Sequence, residues 1–171
     1  MADSAGPGRP LRVAVVTVSD RSARGEREDR SGPALAGAAE AAGAQVVRRE
    51  LVPDDPDALA ALLAAMCDAP DAPDLVLTTG GTGLGPRDRT PEATAAVCER
   101  LVPGIPEALR AGSLRVTPHG MLSRGVAGVR GRTLVVNLPG STGGARDGWA
   151  VVAPVAAHAA SQLRGGDHPA A

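Results

Sequence analysis

The chain contains no lysine: all 18 of its basic residues are arginine. That excludes Schiff-base chemistry and every lysine-dependent phosphate grip. Negative charge on a ligand must then be met by backbone N–H groups, by arginine or by a divalent cation. Phenylalanine and tyrosine are also absent, and Trp149 is the only aromatic residue. Without aromatic faces there is no platform for stacking single-stranded nucleic acid. A formal net charge of −1 adds no long-range attraction for a nucleic-acid partner. No apolar run reaches the ~18 residues of a membrane span, and Met1–Pro10 has no hydrophobic signal region, so the expectation is a cytoplasmic protein without membrane contact. Cys67 and Cys98 fall among apolar residues of expected helices, the setting of buried free thiols rather than of a disulfide or nucleophile. Neither has the paired spacing of a zinc site, and His119, His158 and His168 are scattered.

What is present centres on Leu75–Glu92. Leu75, Val76 and Leu77 read as a buried strand that ends on Thr78-Thr79 and enters a loop with glycines at 80, 81, 83 and 85. Thr90 then suits a helix cap, Pro91 the first helical position and Glu92 the first turn. Strand, glycine-rich loop and helix is how an open α/β sheet builds an anion site at the carboxyl ends of its strands. The spacing Gly81-x-Gly83-x-Gly85 is neither the dinucleotide fingerprint nor a P-loop. The glycines by themselves fit a plain βα turn equally well; Thr78, Thr79, Arg87, Asp88 and Arg89 favour a ligand cradle.

At 171 residues the chain suits one domain over residues 11–164, between an N-terminal tail, Met1–Pro10, expected to be disordered, and a frayed tail, Gly165–Ala171. Leu11–Asp20 is a β-branched run suited to a central parallel strand, with Thr17, Ser19 and Asp20 at its carboxyl edge. Arg21–Arg30 is either a solvated loop or a mobile flap, the solvated loop being favoured. Pro33 opens a helix with Leu35, Ala38, Ala39 and Ala42 on one face, stopped by Gly43. Gln45–Val52 is a second strand. Asp55 caps a helix beginning at Pro56 with Leu59, Leu62, Leu63 and Met66 as its stripe, and local sequence makes Asp54 an ordinary turn carboxylate. Pro91–Leu101 is expected to be helical with Val97 and Leu101 on its inner face. Pro103-Gly104 and Pro106 break the chain before a short helix at Glu107–Ala111, and residues 112–122 are poorly patterned. Val126–Val129 and Thr133–Asn137 form an antiparallel hairpin turning near Arg130-Gly131. A second strand-to-glycine junction, Leu134–Gly144, precedes a final helix with Val151, Val155 and Ala159 in register and Pro154 as a bend or as its start.

Of two glycine-rich junctions side by side, the first would cradle one phosphorylated group and the second another part of the ligand, with Arg87, Arg89 and Arg124 as candidate cations. Asp54 and Asp88, at the ends of adjacent βα units, would hold Mg²⁺ by one or two carboxylates, with water and phosphates completing the shell. That is apparatus for phosphoryl or nucleotidyl transfer, which depends on positioning and charge stabilisation.

Leu77–Gly83, Asp88-x-Thr90-Pro91-Glu92-Ala93-Thr94, Leu122–Gly125 and Val136–Ser141 together resemble the molybdopterin-binding (MogA/MoaB-like) family. The resemblance runs from about Leu11 to Leu163. It implies a three-layer α/β sandwich whose sheet is mostly parallel with one antiparallel strand, assembled as a homotrimer or hexamer. It also implies a role in molybdenum cofactor biosynthesis: a molybdopterin adenylyltransferase joining AMP from MgATP to the molybdopterin phosphate and releasing pyrophosphate. On this matching Asp54 and Asp88 are the catalytic residues, which reverses the local reading of Asp54. Thr79, Gly80, Gly81, Thr82, Gly83, Ser123, Arg124, Asn137, Pro139, Gly140 and Ser141 line the pterin and nucleotide site, and Ser19 and Asp20 orient it. Other molybdenum-cofactor enzymes are expected partners. Asp54-Asp55 stands where active members often have Asp-Glu. The alternative the resemblance leaves open is a non-catalytic molybdopterin carrier.

Overall fold

The computed structural model describes residues 9–166; apart from residues 9–10 and 165–166, the expected tails Met1–Pro10 and Gly165–Ala171 lie outside them. In chain order the elements are β1 (Arg12–Val18), α1 (Asp20–Ala23), α2 (Ser31–Ala41), β2 (Gln45–Val52), α3 (Pro56–Asp68), β3 (Leu75–Thr79), α4 (Thr90–Val97), β4 (Arg100–Leu101), α5 (Gly104–Leu114), a 3-10 helix (Pro118–Leu122), β5 (Ala127–Arg130), β6 (Thr133–Leu138) and α6 (Thr142–Leu163). The strands form one six-stranded sheet in the order β2-β1-β3-β6-β5-β4. The first four are mutually parallel, and β5 runs against both of its neighbours. This is the expected three-layer α/β sandwich with one antiparallel strand.

Alternation along each strand divides the core. Val13 and Val15 of β1 join Leu77 and Val136 under α2, α5 and α6. Ala14, Val16 and Val18 join Val76 and Val135 under α3 and α4. Because both faces are covered, the central strands are near-continuous β-branched or aliphatic runs. β2 lies at the sheet edge, and its exposed Arg48 and Arg49 blunt that edge against further pairing. The crossover from β1 to β2 runs over one face through α2, and that from β2 to β3 over the other through α3. The chain therefore reverses its direction of travel at β1, the kind of switch point where open α/β sheets carry ligands.

Register then assembles the carboxyl edge. Val18 pairs with Val52, Thr17 with Thr79, and Thr79 with Leu138. The loops after β1, β2, β3 and β6 consequently leave the sheet at one level.

Several elements differ from the expectation. α4 ends at Val97, so Leu101 belongs to the short edge strand β4 and Cys98 to the turn between them. Pro103, Gly104 and Pro106 do not break the chain but open α5, whose first-turn N–H groups have no intrahelical acceptor to lose. The buried stripe of α2 is Leu35, Ala36 and Ala39, with Ala42 exposed. That of α6 is Trp149, Val152, Ala156 and Ala160, leaving Val155 outside. Pro154 lies within α6 on its exposed side, so the Ala150 carbonyl it cannot serve faces solvent. The hairpin turns at Gly131 as expected, through left-handed backbone at φ +55°. Both cysteines are free. Burial pushes the Cys67 thiol up to about 11 and the half-buried Cys98 upward as well, so neither is primed as a nucleophile.

At the opposite edge of the sheet Asp74, 6% exposed at its side chain, ties the two ends of the domain together. It accepts from Arg9 at 2.7 Å, from the Arg12 N–H at 2.9 Å and from Arg164 at the end of α6. Removing that carboxylate leaves two half-buried guanidiniums without their acceptor. Asp74→Ala is expected to lower unfolding free energy by about 3 kcal/mol, read from urea denaturation, with no change in ligand binding at the far edge.

Candidate functional site

The two glycine turns meet. Gly80 and Gly81 have φ of +106° and +65°, backbone that a side chain strongly disfavours. A Cβ on Gly80 would lie 2.3 Å from the Val18 carbonyl oxygen, and one on Gly140 would lie 3.0 Å from Gly80 Cα. The Gly80 N–H donates to the Leu138 carbonyl at 3.2 Å, and Thr79 Oγ1 to the Pro139 carbonyl at 2.7 Å. The turns after β3 and β6 are thus stitched together, and both open on one cleft of about 370 Å³. Ser19, Asp54, Thr79, Gly80, Gly81, Asp88, Gly140 and Ser141 all line it.

The acidic side of the cleft is a network between loops. Asp20 N–H donates to Asp54 Oδ2 at 2.8 Å, and Asp54 N–H returns a bond to Asp20 Oδ1 at 3.0 Å. Arg87 grips Asp20 through Nε at 2.7 Å and a terminal nitrogen at 3.0 Å. This guanidinium, followed by the backbone bond, holds the Asp20 carboxyl below its ordinary range. Asp54 is pushed the other way, first by burial and then by the negative charges of Asp20 and Asp88 beside it. Asp88 is aimed by its own loop, its Oδ2 accepting from the Gly85 N–H at 2.8 Å.

Other expected ligand contacts prove to be internal. Arg124 donates to the Gly83 carbonyl at 2.8 Å, to the Asp88 carbonyl and to Glu92, while its own N–H reaches the Thr82 carbonyl at 2.9 Å. It clamps the glycine loop, with each of its three guanidinium nitrogens already engaged inside the protein. Arg87 is paired with Asp20 and Arg89 with Glu92. Asn137 is buried, donating to Thr78 Oγ1 and Thr94 Oγ1 at 2.9 Å and accepting from the Val126 N–H. The Ser19 and Ser141 hydroxyls cap α1 and α6. Ser141 therefore brings the start of the long helix α6, with its unpaired N–H groups, to the cleft rim. Ser123 lies beyond Pro139, in a small second pocket shared with Arg110 and Ser113. Thr82 and Gly83 lie in the clamped loop and do not line the cleft.

The Arg21–Arg30 segment is largely exposed, as expected of a solvated loop, but it is also fixed in place. After α1 it folds back so that Arg27, Glu28, Asp29 and Arg30 form a wall of the cleft. Asp29 Oδ2 accepts from Thr17 Oγ1 at 2.8 Å and Oδ1 from the Gly32 N–H at 3.0 Å. The available sequence signal was an acidic residue just ahead of a helix, the pattern of a helix cap. Thr90 also departs from expectation: α4 begins one residue early, so Thr90 lies in the first turn and caps nothing. Its Oγ1 is buried without a hydrogen-bond partner, 2.2 Å from where a Gly81 Cβ would stand. Only glycine at 81 permits that approach, and the unmade bond costs on the order of 1–3 kcal/mol.

The chain is a doubly wound α/β domain whose paired glycine turns and two carboxylates, Asp54 and Asp88, meet in one cleft at a switch point, where such sheets carry ligands. The chain belongs to the family described as "probable molybdopterin binding domain", whose model matches residues 14–158. It is 39% identical to the molybdopterin adenylyltransferase of Helicobacter pylori strain J99 over 84% of this chain and 82% of that one. Against molybdenum cofactor biosynthesis protein B of Escherichia coli K12, identity is 40% over 85% of each chain. Among solved structures, the molybdopterin biosynthesis enzyme MoaB of Thermus thermophilus superposes with a TM-score of 0.84 at 50% identity, covering 91% of this chain and 97% of that one.

The raised Asp54 carries a pH signature. Its carboxyl holds a proton to higher pH in the folded chain than in the unfolded one. Its contribution to stability therefore falls as pH rises from the ordinary carboxylate value through the raised folded value, and the ionised group is a cost at neutrality. Asp54→Asn is expected to unfold at higher urea than the wild type at pH 7, the difference disappearing near pH 3. Denaturation midpoints at the two pH values check it.

Proposed function

We propose that this protein is a molybdopterin adenylyltransferase of molybdenum cofactor biosynthesis. The observation that carries the reading is the convergence of Gly80–Gly81, Gly140–Ser141, Asp54 and Asp88 on one cleft. In the reaction an oxygen of the molybdopterin phosphate attacks the α-phosphorus of ATP. A new P–O bond forms there, the bond to the β-phosphate oxygen breaks, and pyrophosphate leaves with its electron pair.

The chain's own residues bind and orient. The Gly80 N–H is spent on the Leu138 carbonyl, so the donors left for phosphate oxygens are the N–H groups of Gly81, Gly140 and the α6 start, on turns tied to the sheet. The reciprocal Asp20–Asp54 bonds fix Asp54, and Arg124 fixes the loop that carries Asp88. Two substrates need two places, and the Pro139–Ser141 turn stands between the large cleft and the smaller Ser123 pocket.

Magnesium suits the cleft. Its lining holds four carboxylates (Glu28, Asp29, Asp54, Asp88) against two guanidiniums (Arg27, Arg30), so a bare polyphosphate would be repelled. Among the described residues no three acidic, histidine or cysteine side chains converge as a closed metal cage. An ion there would be held by two carboxylates, with water and substrate oxygens completing its shell. Asp54 and Asp88 would hold it, and it would neutralise charge on the phosphates.

For assembly, we expect the homotrimer or hexamer to cover the apolar face at the end of α5 and the following 3-10 helix, where Leu114, Val116, Met121 and Leu122 are exposed. No helix among the described residues is long and apolar enough to cross a membrane.

Pyrophosphate release from molybdopterin and MgATP tests the activity. Asp88→Asn is expected to lower turnover by roughly two or more orders of magnitude, since charge placement carries this chemistry. Tight molybdopterin binding with no turnover and no dependence on ATP would instead identify a carrier.

A further inference from the structure

The floor of the cleft offers N–H groups but no positive charge, and the nearby arginines on the Gly80–Thr90 and Ser123 segments are engaged with Asp20, Glu92 and the loop carbonyls. Two guanidiniums line the cleft from its outer wall. Arg30 donates through Nε to Glu28 at 3.0 Å. Arg27 has no hydrogen bond or ion pair among the described residues, although the side chains around it are paired.

The wall that presents Arg27 is anchored. Two residues on, Asp29 has both oxygens engaged, one by Thr17 at the end of β1 and one by the first turn of α2. Thr17 is only 3% exposed. A Cβ on Gly32 would lie 2.2 Å from Thr17 Oγ1, so the join closes only over glycine. On the other side the Glu26 N–H returns to the Arg21 carbonyl at 2.9 Å. The backbone around Arg27 is therefore positioned from both ends while its side chain is left unpaired at the wall of the cleft.

We propose that Arg27 is the cation that grips the pyrophosphate-bearing end of the nucleotide, and the pyrophosphate product, in this cleft. The assignment rests on the nucleotidyl-transfer reading and adds a residue to it. The glycine turns suffice for a single phosphate, whereas the terminal phosphates carry the highest charge density and call for a full positive charge. A guanidinium offers parallel donors to two oxygens of one phosphate, which an ammonium does not.

The test is calorimetric titration of inorganic pyrophosphate, with MgCl₂ present, into the full chain and into Arg27→Gln and Arg27→Lys, with AMP as the comparison ligand. Arg27 is exposed, so both variants are expected to keep the wild-type thermal midpoint. The glutamine variant is expected to bind pyrophosphate about tenfold more weakly, the lysine variant to fall between, and AMP affinity to move by less than about twofold. Equal pyrophosphate affinity in wild type and Arg27→Gln overturns the assignment and leaves the nucleotidyl-transfer reading standing. An equal loss for AMP and pyrophosphate also overturns it, because the arginine would then act without regard to the terminal phosphates. Failure of the wild type to bind either pyrophosphate or AMP removes both.

Discussion

Everything at the ligand edge depends on the contact between the turns after β3 and β6. Their strands are neighbours in strict parallel register, Thr79 opposite Leu138, so the two loops begin at the same height. Side chains at 80 and 140 would hold them apart: Gly140 already approaches Gly80 to the limit for a Cβ, and Gly80 is pressed on the Val18 carbonyl. The Thr79–Pro139 bond closes the seam. A cradle made in this way belongs to the sheet, and its N–H groups need no reorganisation when charge arrives.

The acidic rim obeys the same logic with opposite sign. Asp20 and Asp88 stand close enough to Asp54 to disfavour its ionisation. The fold tolerates this because Asp20 and Asp54 exchange backbone bonds and Arg87 answers the charge on Asp20. Charge crowded before a ligand arrives costs stability, and a cation shared with a phosphate relieves it. Arginine in place of lysine suits the arrangement: a fork with several donors, as in Arg124, holds a loop rigid where a single ammonium would leave it loose.

Legibility followed the range of the interaction concerned. The β-branched run of β1, the Asp55 cap on α3 and the turn at Gly131 depend on neighbours a few residues away, and each matches the structure. The misplaced features had partners elsewhere. Leu101 looked like the next rung of a helix, but pairing with Gly128 drew it into the sheet. On α6, Val155 matched the helical period as well as Ala156 did, and packing against the sheet decided which one faced inward. The Arg21–Arg30 segment is exposed as its charge suggests, but its anchor was not legible: Asp29 is bound by a threonine twelve residues earlier, across the end of the sheet.

Composition and local order were enough to establish a parallel α/β domain, two glycine junctions, two aspartates beside them, and the absence of lysine that throws anion binding onto backbone and arginine. Tertiary structure alone decided which of these groups remain available. Asn137, Arg124 and Arg87 carry the same kind of N–H donors as Arg27, but their acceptors lie 32 to 67 residues away in sequence and are brought against them by the fold. A donor already satisfied inside the protein cannot bind a substrate without first breaking that bond, and no local pattern records whether the bond has been made.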